Sequence, residues 1–395
     1  MNFKYASRME KVKPSAIREL LALGAQPDII SFGGGYPAPE VFPIDKLNGV
    51  FLDVMKDNGS KALQYATSEG LLPLREKLVQ RMVNTGISCE LDHLFMIQGA
   101  QQGLDLVAKM FIDKGDVIVT ENPTFLGALI AFNPYEPEYK TVPMDEEGMD
   151  MDALEETLKT HSKVKFIYTV PDFHNPTGVT MSLERRKRLV ELANKYDVMI
   201  LEDSPYREIR FEGQAIPPIK SFDTEGRVIY LGSFSKILCP GMRLGWVVAE
   251  KEIASKLCLL KMAADTQNST LNMYLADQFM EKYDIDEHIG SIREVYKEKK
   301  ETMIQAIQEY LPSTVAYTNP EGGLFTWLTF SSNIDAAKLM RERLLSEAKV
   351  AYVPGAAFFP VKEEVNHCRI SYSNMPKEKI VEGIASLGKI LKEYY

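Results

Sequence analysis

Cysteine is scarce in this chain: four residues in 395 (Cys89, Cys239, Cys258 and Cys368), with no CxxC pair among them. That excludes a disulfide framework and suits a reducing, cytoplasmic compartment. The five histidines (His93, His161, His174, His288 and His367) show no HExxH or other ligand spacing, so no protein-bound metal is expected. No apolar run approaches the ~20 residues needed to span a bilayer. The opening stretch, MNFKYASRMEKVKPS, lacks the apolar core of a signal peptide. Positive charge is in deficit, with 46 Lys and Arg against 55 Asp and Glu and a net charge of −9. A general nucleic-acid or anionic-membrane surface is therefore not expected, although a local anion pocket remains open. Internal repeats and low-complexity tracts are also missing.

What is present is an alternation. From about residue 93 to 250, short apolar runs (LFMIQG, DVIVTENP, KFIYTVPDF, VMILEDSPY, VIYLGSFS) take turns with helical periods such as LERRKRLVELANKYD. Strand-then-helix repetition predicts an α/β fold, a mostly parallel central sheet covered by helices, with ligands at the carboxyl ends of the strands. Earlier, SAIRELLALG (15–24) reads as a short amphipathic helix, and IISFGGGYPAPEVFP as an extended crossing segment. A further helix follows, with Leu47, Val50, Phe51 and Val54 on one face. A long helical span over 252–310 and the strand-like runs TVAYTNPEGGLFTWLTF and HCRISYS predict a smaller α+β domain. The expected division is a large domain over 46–285 and a small one from 1–45 plus 286–395.

The residues that carry chemistry cluster at the predicted strand ends. GSFSKILCPGMRLGW (232–246) sets Lys236 between Ser233, Ser235 and Arg243. An amine there can form a Schiff base with an aldehyde, while hydroxyls and a guanidinium grip a phosphate. Gly99, Ala100 and Gln101 sit where a strand feeds a helix, a ready anion site. Phe125 follows a strand and can stack on a flat ring. Asn175, in PDFHNPTG, and Tyr206, in LEDSPY, offer polar groups at neighbouring strand ends, and Asp203 can pair with a ring nitrogen. Each segment alone also fits a blander use: a tight βα turn, a core aromatic, an Asx turn, a solvated loop lysine. Their order and separation carry the argument.

Taken together, these motifs resemble the fold type I pyridoxal-phosphate aminotransferases of class I/II, over nearly the whole chain. The resemblance implies that pyridoxal 5'-phosphate is the cofactor and Lys236 both its Schiff-base lysine and the proton shuttle at the substrate α-carbon. Asp203 would pair with the ring nitrogen, Asn175 and Tyr206 would hold the ring oxygen, and Phe125 would stack. Gly99, Ala100, Gln101, Ser233, Ser235 and Arg243 would take the phosphate. Tyr65, in LQYATSEG, would reach the neighbouring subunit's phosphate, which implies a homodimer with shared active sites. Arg369, in RISYS, would clamp the substrate α-carboxylate, the task that suits arginine's fork.

SAIRELL, ISFGGGYPAPEVFP and the Lys236 segment look closest to the 2-aminoadipate and kynurenine aminotransferase branch. There Arg18 would meet a side-chain carboxylate, and Gly34 and Gly35 would leave room for substrate. Phe125 stands where a tyrosine is common. The implied reaction moves the amino group of 2-aminoadipate, an aromatic or a large aliphatic amino acid to 2-oxoglutarate. A β-eliminating lyase using the same cofactor, and a non-enzymatic sensor domain, are the alternatives.

Overall fold

The computed structural model describes residues 3–10, 12 and 26–395. The helix expected over 15–24, Arg18 included, lies outside the described residues. In chain order the strands are β1 (Ile30–Ser31), β2 (Leu94–Ile97), β3 (Val117–Asn122), β4 (Glu138–Asp145), β5 (Gly148–Met149), β6 (Val164–Thr169) and β7 (Met199–Asp203). They continue with β8 (Val228–Ser233), β9 (Gly245–Val248), β10 (Ala316–Tyr317), β11 (Phe325–Thr329), β12 (Val350–Ala351), β13 (Val353–Pro354) and β14 (His367–Ser371).

Eight strands form the central sheet, in the order β2-β9-β8-β7-β6-β3-β4-β5. The β8–β7–β6–β3–β4 pairings are parallel, whereas β9 runs antiparallel to both β8 and β2. Strands β3, β6, β7 and β8 are apolar on both faces over most of their length, as a helix-covered sheet requires, whereas β4 near the edge is mostly polar and half-exposed. Val117, Val119, Ile167, Ile200 and Val228 join one hydrophobic cluster with helices Met151–Thr160 and Leu183–Tyr196. Their chain neighbours Ile118, Phe166, Tyr168, Leu201 and Ile229 join the larger cluster on the other face. This period of two fixes which side chains reach the site.

Two features of the order place that site. The chain moves from β3 outward to β4, then returns to β6 on the opposite side of β3, so a crevice opens between the carboxyl ends of β3 and β6. Because β9 is antiparallel, its beginning lies at the same edge as the ends of β7 and β8, and Arg243 joins the residues that follow those strands.

A second sheet, β10-β11-β14-β13, is wholly antiparallel, and β1 pairs with β12, tying the segment after residue 30 to the C-terminal part. Helices Ile285–Tyr310 and Lys377–Leu391 pack together beside it.

Two expectations need correction. The span 252–310 is three helices, Lys251–Asp265, Thr270–Lys282 and Ile285–Tyr310, interrupted at Thr266–Ser269 and at Tyr283–Asp284. In helix Ile44–Ala62, Val50 and Val54 are buried but Phe51 is 40% exposed. Phe51 sits one position past Val50, about 100° around the helix, which turns it off the packed stripe.

Candidate active site

A cavity of about 200 Å³ opens at the carboxyl edge of the central sheet. Its walls include Lys236, Asp203, Asn175, Phe125 and Arg243. Ala100, Gln101, Tyr206, Ser233 and Ser235 line it as well. The structure therefore brings together ten residues singled out in the sequence from five separate segments. Gly99 stands immediately behind, as the residue before helix Ala100–Phe111.

One end of the cavity is built for an anion. The first N–H groups of helix Ala100–Phe111 have no acceptor within the helix, and the helix dipole adds positive potential there. Gly99 makes the turn possible. Its φ is +74°, and a Cβ would sit 2.9 Å from an Arg243 guanidinium nitrogen, so a side chain there would be both strained and crowded. Arg243 itself adopts φ 54° at the turn into β9 and donates to the carbonyls of Gln98 at 3.0 Å and Pro240 at 3.2 Å. Ser233 Oγ donates to Ser235 Oγ at 3.0 Å and accepts the Ser235 N–H at 3.1 Å, which gathers both hydroxyls on one turn. Across the cavity, Gly127 lets the Phe125 ring lie close: a Cβ there would meet the ring at 2.4 Å.

At the other end is a buried acid. Asp203 ends β7, and Tyr168, on the same face of neighbouring β6, donates its hydroxyl to Asp203 Oδ2 at 2.9 Å. Among the described residues Asp203 Oδ1 has no hydrogen-bond partner, which burial makes costly and which a cationic N–H in the cavity would relieve. Burial pushes the Asp203 carboxyl up to about 7; the Tyr168 bond works against that rise and the nearby Glu121 charge adds to it. Its sequence neighbour Glu202 points to the opposite face and accepts the backbone N–H groups of Ile219 (3.0 Å) and Lys220 (2.8 Å). Of the adjacent acids, only Asp203 faces the cavity.

The amine lies between these ends. Lys236 Nζ donates to the Gly35 carbonyl at 2.8 Å. Burial, together with the positive charges of Arg369 and Arg243, lowers its pKa to about 8, so a sizeable neutral fraction exists near neutral pH. Asn175 Nδ2 donates to the Tyr206 hydroxyl at 3.1 Å.

Arg369, on β14 opposite Trp327 of β11, donates to Asn175 Oδ1 and to the Gly33 carbonyl, both at 2.7 Å. Its guanidinium lies over the Phe325 ring at 4.2 Å, and its buried Nε has no partner among the described residues. Gly35 allows the crossing segment to pass under Phe325, whose ring would be 2.9 Å from a Cβ, and Gly34 does the same for Tyr36.

Tyr65 is placed differently: it is 81% exposed and does not line this cavity. Three contributors were missed in the sequence. Tyr168 sits within an apolar strand, where its hydroxyl gave no signal. Glu121 and His174 form a buried pair behind the cavity, 3.2 Å apart, with Glu121 also accepting from Thr169 Oγ1 at 2.5 Å and the Val170 N–H at 3.1 Å. His174 Nδ1 lies 2.9 Å from Thr177 Oγ1, while Nε2 faces Glu121 with no hydrogen-bond partner among the described residues.

A buried lysine amine near two guanidinium groups, an acid with one unpartnered oxygen and an anion cradle, gathered at the carboxyl edge of an α/β sheet, define a site for a phosphorylated ring cofactor. Comparison with known proteins gives the same class. The profile described as aminotransferase class I and II matches residues 44–387. The chain is 46% identical to aromatic-amino-acid aminotransferase 1 of Thermococcus litoralis over 387 residues, covering 97% of this chain and 92% of that one. Among solved structures, kynurenine aminotransferase from Pyrococcus horikoshii, in complex with PMP, is 41% identical. Its TM-score is 0.95, with 99% of this chain and 97% of that chain covered. LysN, the α-aminoadipate aminotransferase of Thermus thermophilus complexed with N-(5'-phosphopyridoxyl)-L-leucine, is 37% identical. Its TM-score is 0.91, over 98% of this chain and 97% of that one. The chain belongs to the class I and II aminotransferases and is a pyridoxal-phosphate-dependent enzyme.

Proposed function

We propose that this enzyme transfers the amino group of an aromatic, 2-aminoadipate or large aliphatic L-amino acid to 2-oxoglutarate. The observation that carries this reading is the Lys236 amine in the cavity with the Arg369 guanidinium near enough for its charge to lower the lysine's pKa, its Nε buried without a partner among the described residues. One is suited to a proton at the α-carbon and the other to the carboxylate beside it. The substrate range is supported by the names of relatives that act on aromatic amino acids, kynurenine and α-aminoadipate.

In this reading pyridoxal phosphate supplies an electron sink for the charge left at the substrate α-carbon. Lys236 would hold the cofactor and then, as a neutral amine, take and return the α-proton. Asp203 Oδ1 would pair with the ring nitrogen and favour its protonated form. Asn175 and Tyr206 would hold the ring oxygen, and Phe125 would stack on the ring. Gly99, Ala100, Gln101, Ser233, Ser235 and Arg243 would take the phosphate. Arg369 would fix the α-carboxylate, and Gly34 and Gly35 are proposed on the resemblance alone to leave room for substrate. Arg18 is proposed as a contact for a side-chain carboxylate on the resemblance alone.

We also propose a homodimer, with Tyr65 reaching the cofactor phosphate of the other subunit. Its 81% exposure supports this, as do the exposed apolar residues Leu63 and Leu72 on its own segment. The two sheets support a large domain over 46–285 and a small one from 1–45 plus 286–395. Four unpaired cysteines suit a cytoplasmic setting.

The test is a matrix of single amino donors against 2-oxoglutarate, pyruvate and no acceptor, with sedimentation of wild type and Tyr65→Phe alongside. Glutamate formed only with 2-oxoglutarate, fastest from aromatic or 2-aminoadipate donors, supports the reading. Ammonia and pyruvate released without an acceptor would replace it with β-elimination.

A further inference from the structure

Lys261, in helix Lys251–Asp265, is fully buried, and its ammonium meets Asp265 Oδ1 at 2.9 Å. The Asp265 side chain is 22% exposed, and desolvating the Lys261 ammonium offsets much of the attraction, so the pair is a poor source of stability. Its value here lies in what it holds. Asp265 Oδ2 accepts the Gln102 side-chain amide at 2.7 Å, and Gln102 Oε1 accepts the Gln98 backbone N–H at 2.8 Å. The Gln98 carbonyl in turn takes Arg243 at 3.0 Å. Gln98 immediately precedes Gly99 and the helix start that offers its N–H groups to the cavity.

The same helix ends in a strained turn. Thr266 has φ 64° and ψ −56°, and the Gln267 N–H donates back to the Asp265 carbonyl at 2.7 Å. This is the rare hand of the three-residue γ-turn, and it is especially costly for a β-branched residue. Strain of this kind persists where the surroundings over-determine it. The turn sets Gln267 against two segments at once. Its side-chain carbonyl accepts the N–H of Ala66, next to Tyr65, and its backbone carbonyl takes Gln98 Nε2 at 3.5 Å.

We propose that Asp265, anchored by Lys261, is a positioning residue for the cofactor phosphate. Through Gln102 and Gln98 it fixes the Gly99–Gln101 turn and Arg243, and through Gln267 it ties that turn to the segment bearing Tyr65. This rests on the reading that the phosphate docks at that turn.

The experiment uses the full chain stripped of cofactor and titrated separately with pyridoxal phosphate and with pyridoxal, which lacks the phosphate. Asp265→Asn and Gln102→Leu are expected to weaken pyridoxal phosphate ~10-fold or more and leave pyridoxal affinity unchanged. A merely structural role would move both ligands together, and equal losses, or no loss in folded variants, overturn the proposal. Lys261→Met with Asp265→Leu removes the pair without leaving a buried charge, and carries the test if Asp265→Asn does not fold. Arg243→Gln separates the two readings. If it discriminates between the ligands and the Asp265 and Gln102 variants do not, only the positioning role fails. If Arg243→Gln leaves pyridoxal phosphate affinity intact, the phosphate assignment itself fails.

Discussion

Asp203→Asn separates what the buried acid costs the fold from what it gives the site. Burial holds this carboxyl near 7, against an ordinary value of 3.8. Between those pH values the folded chain keeps a proton that the unfolded chain has released. Stability of the cofactor-free protein therefore falls as pH rises through that window and levels off above it. At ~1.4 kcal/mol per pH unit, the loss reaches up to ~4 kcal/mol above pH 7. Glu202, also raised to about 7, adds a separate drop over the same range, which the Asp203 substitution leaves in place. Asparagine keeps the shape and can still accept from Tyr168, but carries no charge to desolvate. Cofactor-free Asp203→Asn should therefore exceed wild type by ~2–4 kcal/mol at pH 8 and converge with it toward pH 4. Turnover should fall by ~10²–10³-fold, as when a preorganised charge is lost from a site. Urea unfolding of the cofactor-free proteins at several pH values, with unchanged slope, gives the first number, and amino transfer by the loaded enzymes gives the second. Equal stabilities at pH 8, or full turnover in the variant, would refute the assignment of Asp203 as a desolvated acid awaiting a cation.

With the Lys236 pKa lowered to about 8, capture of pyridoxal phosphate by the cofactor-free enzyme should speed up ~10-fold per pH unit until near 8 and then level. A rise continuing toward 10 would contradict the burial argument, and Lys236→Ala should abolish capture. Arg369→Lys keeps a charge but loses the fork and its seat over Phe325, so KM for the amino donor should rise ~10- to 100-fold, with kcat less affected. An unchanged KM would remove Arg369 from the carboxylate. Gly245→Ala would place a Cβ 2.7 Å from the Gly232 carbonyl and 3.0 Å from Gly99 Cα, wedging β9 away from β8 beneath the anion cradle. Thermal unfolding should show a loss of ~1–3 kcal/mol, and an unshifted Tm would mean that this packing is looser than it looks.

The sheet and its cavity were legible because apolar strand runs end in polar residues, and a parallel sheet gathers those ends on one edge. The antiparallel β9 was not foreseen, yet it matters, since it brings Arg243 to the same edge as Lys236. The sequence could not tell Asp203 from Glu202 on composition; alternation along β7 decides it, and that phase is set by tertiary packing. Tyr168 looks like any strand aromatic until β6 pairs with β7. The break at Thr266 has no glycine or proline to announce it, because the turn is imposed by Asp265, Gln98 and Ala66 and not by local propensity.

The most direct test of the central claim is a half-reaction. Enzyme loaded with pyridoxal phosphate is mixed with phenylalanine, 2-aminoadipate or kynurenine, with no oxo acid present, and its visible spectrum is followed. The long-wavelength band is expected to give way to that of bound pyridoxamine phosphate, with one equivalent of 2-oxo acid per site, and 2-oxoglutarate to reverse the change. A band that persists with every donor, or one that recovers while ammonia accumulates, would contradict it.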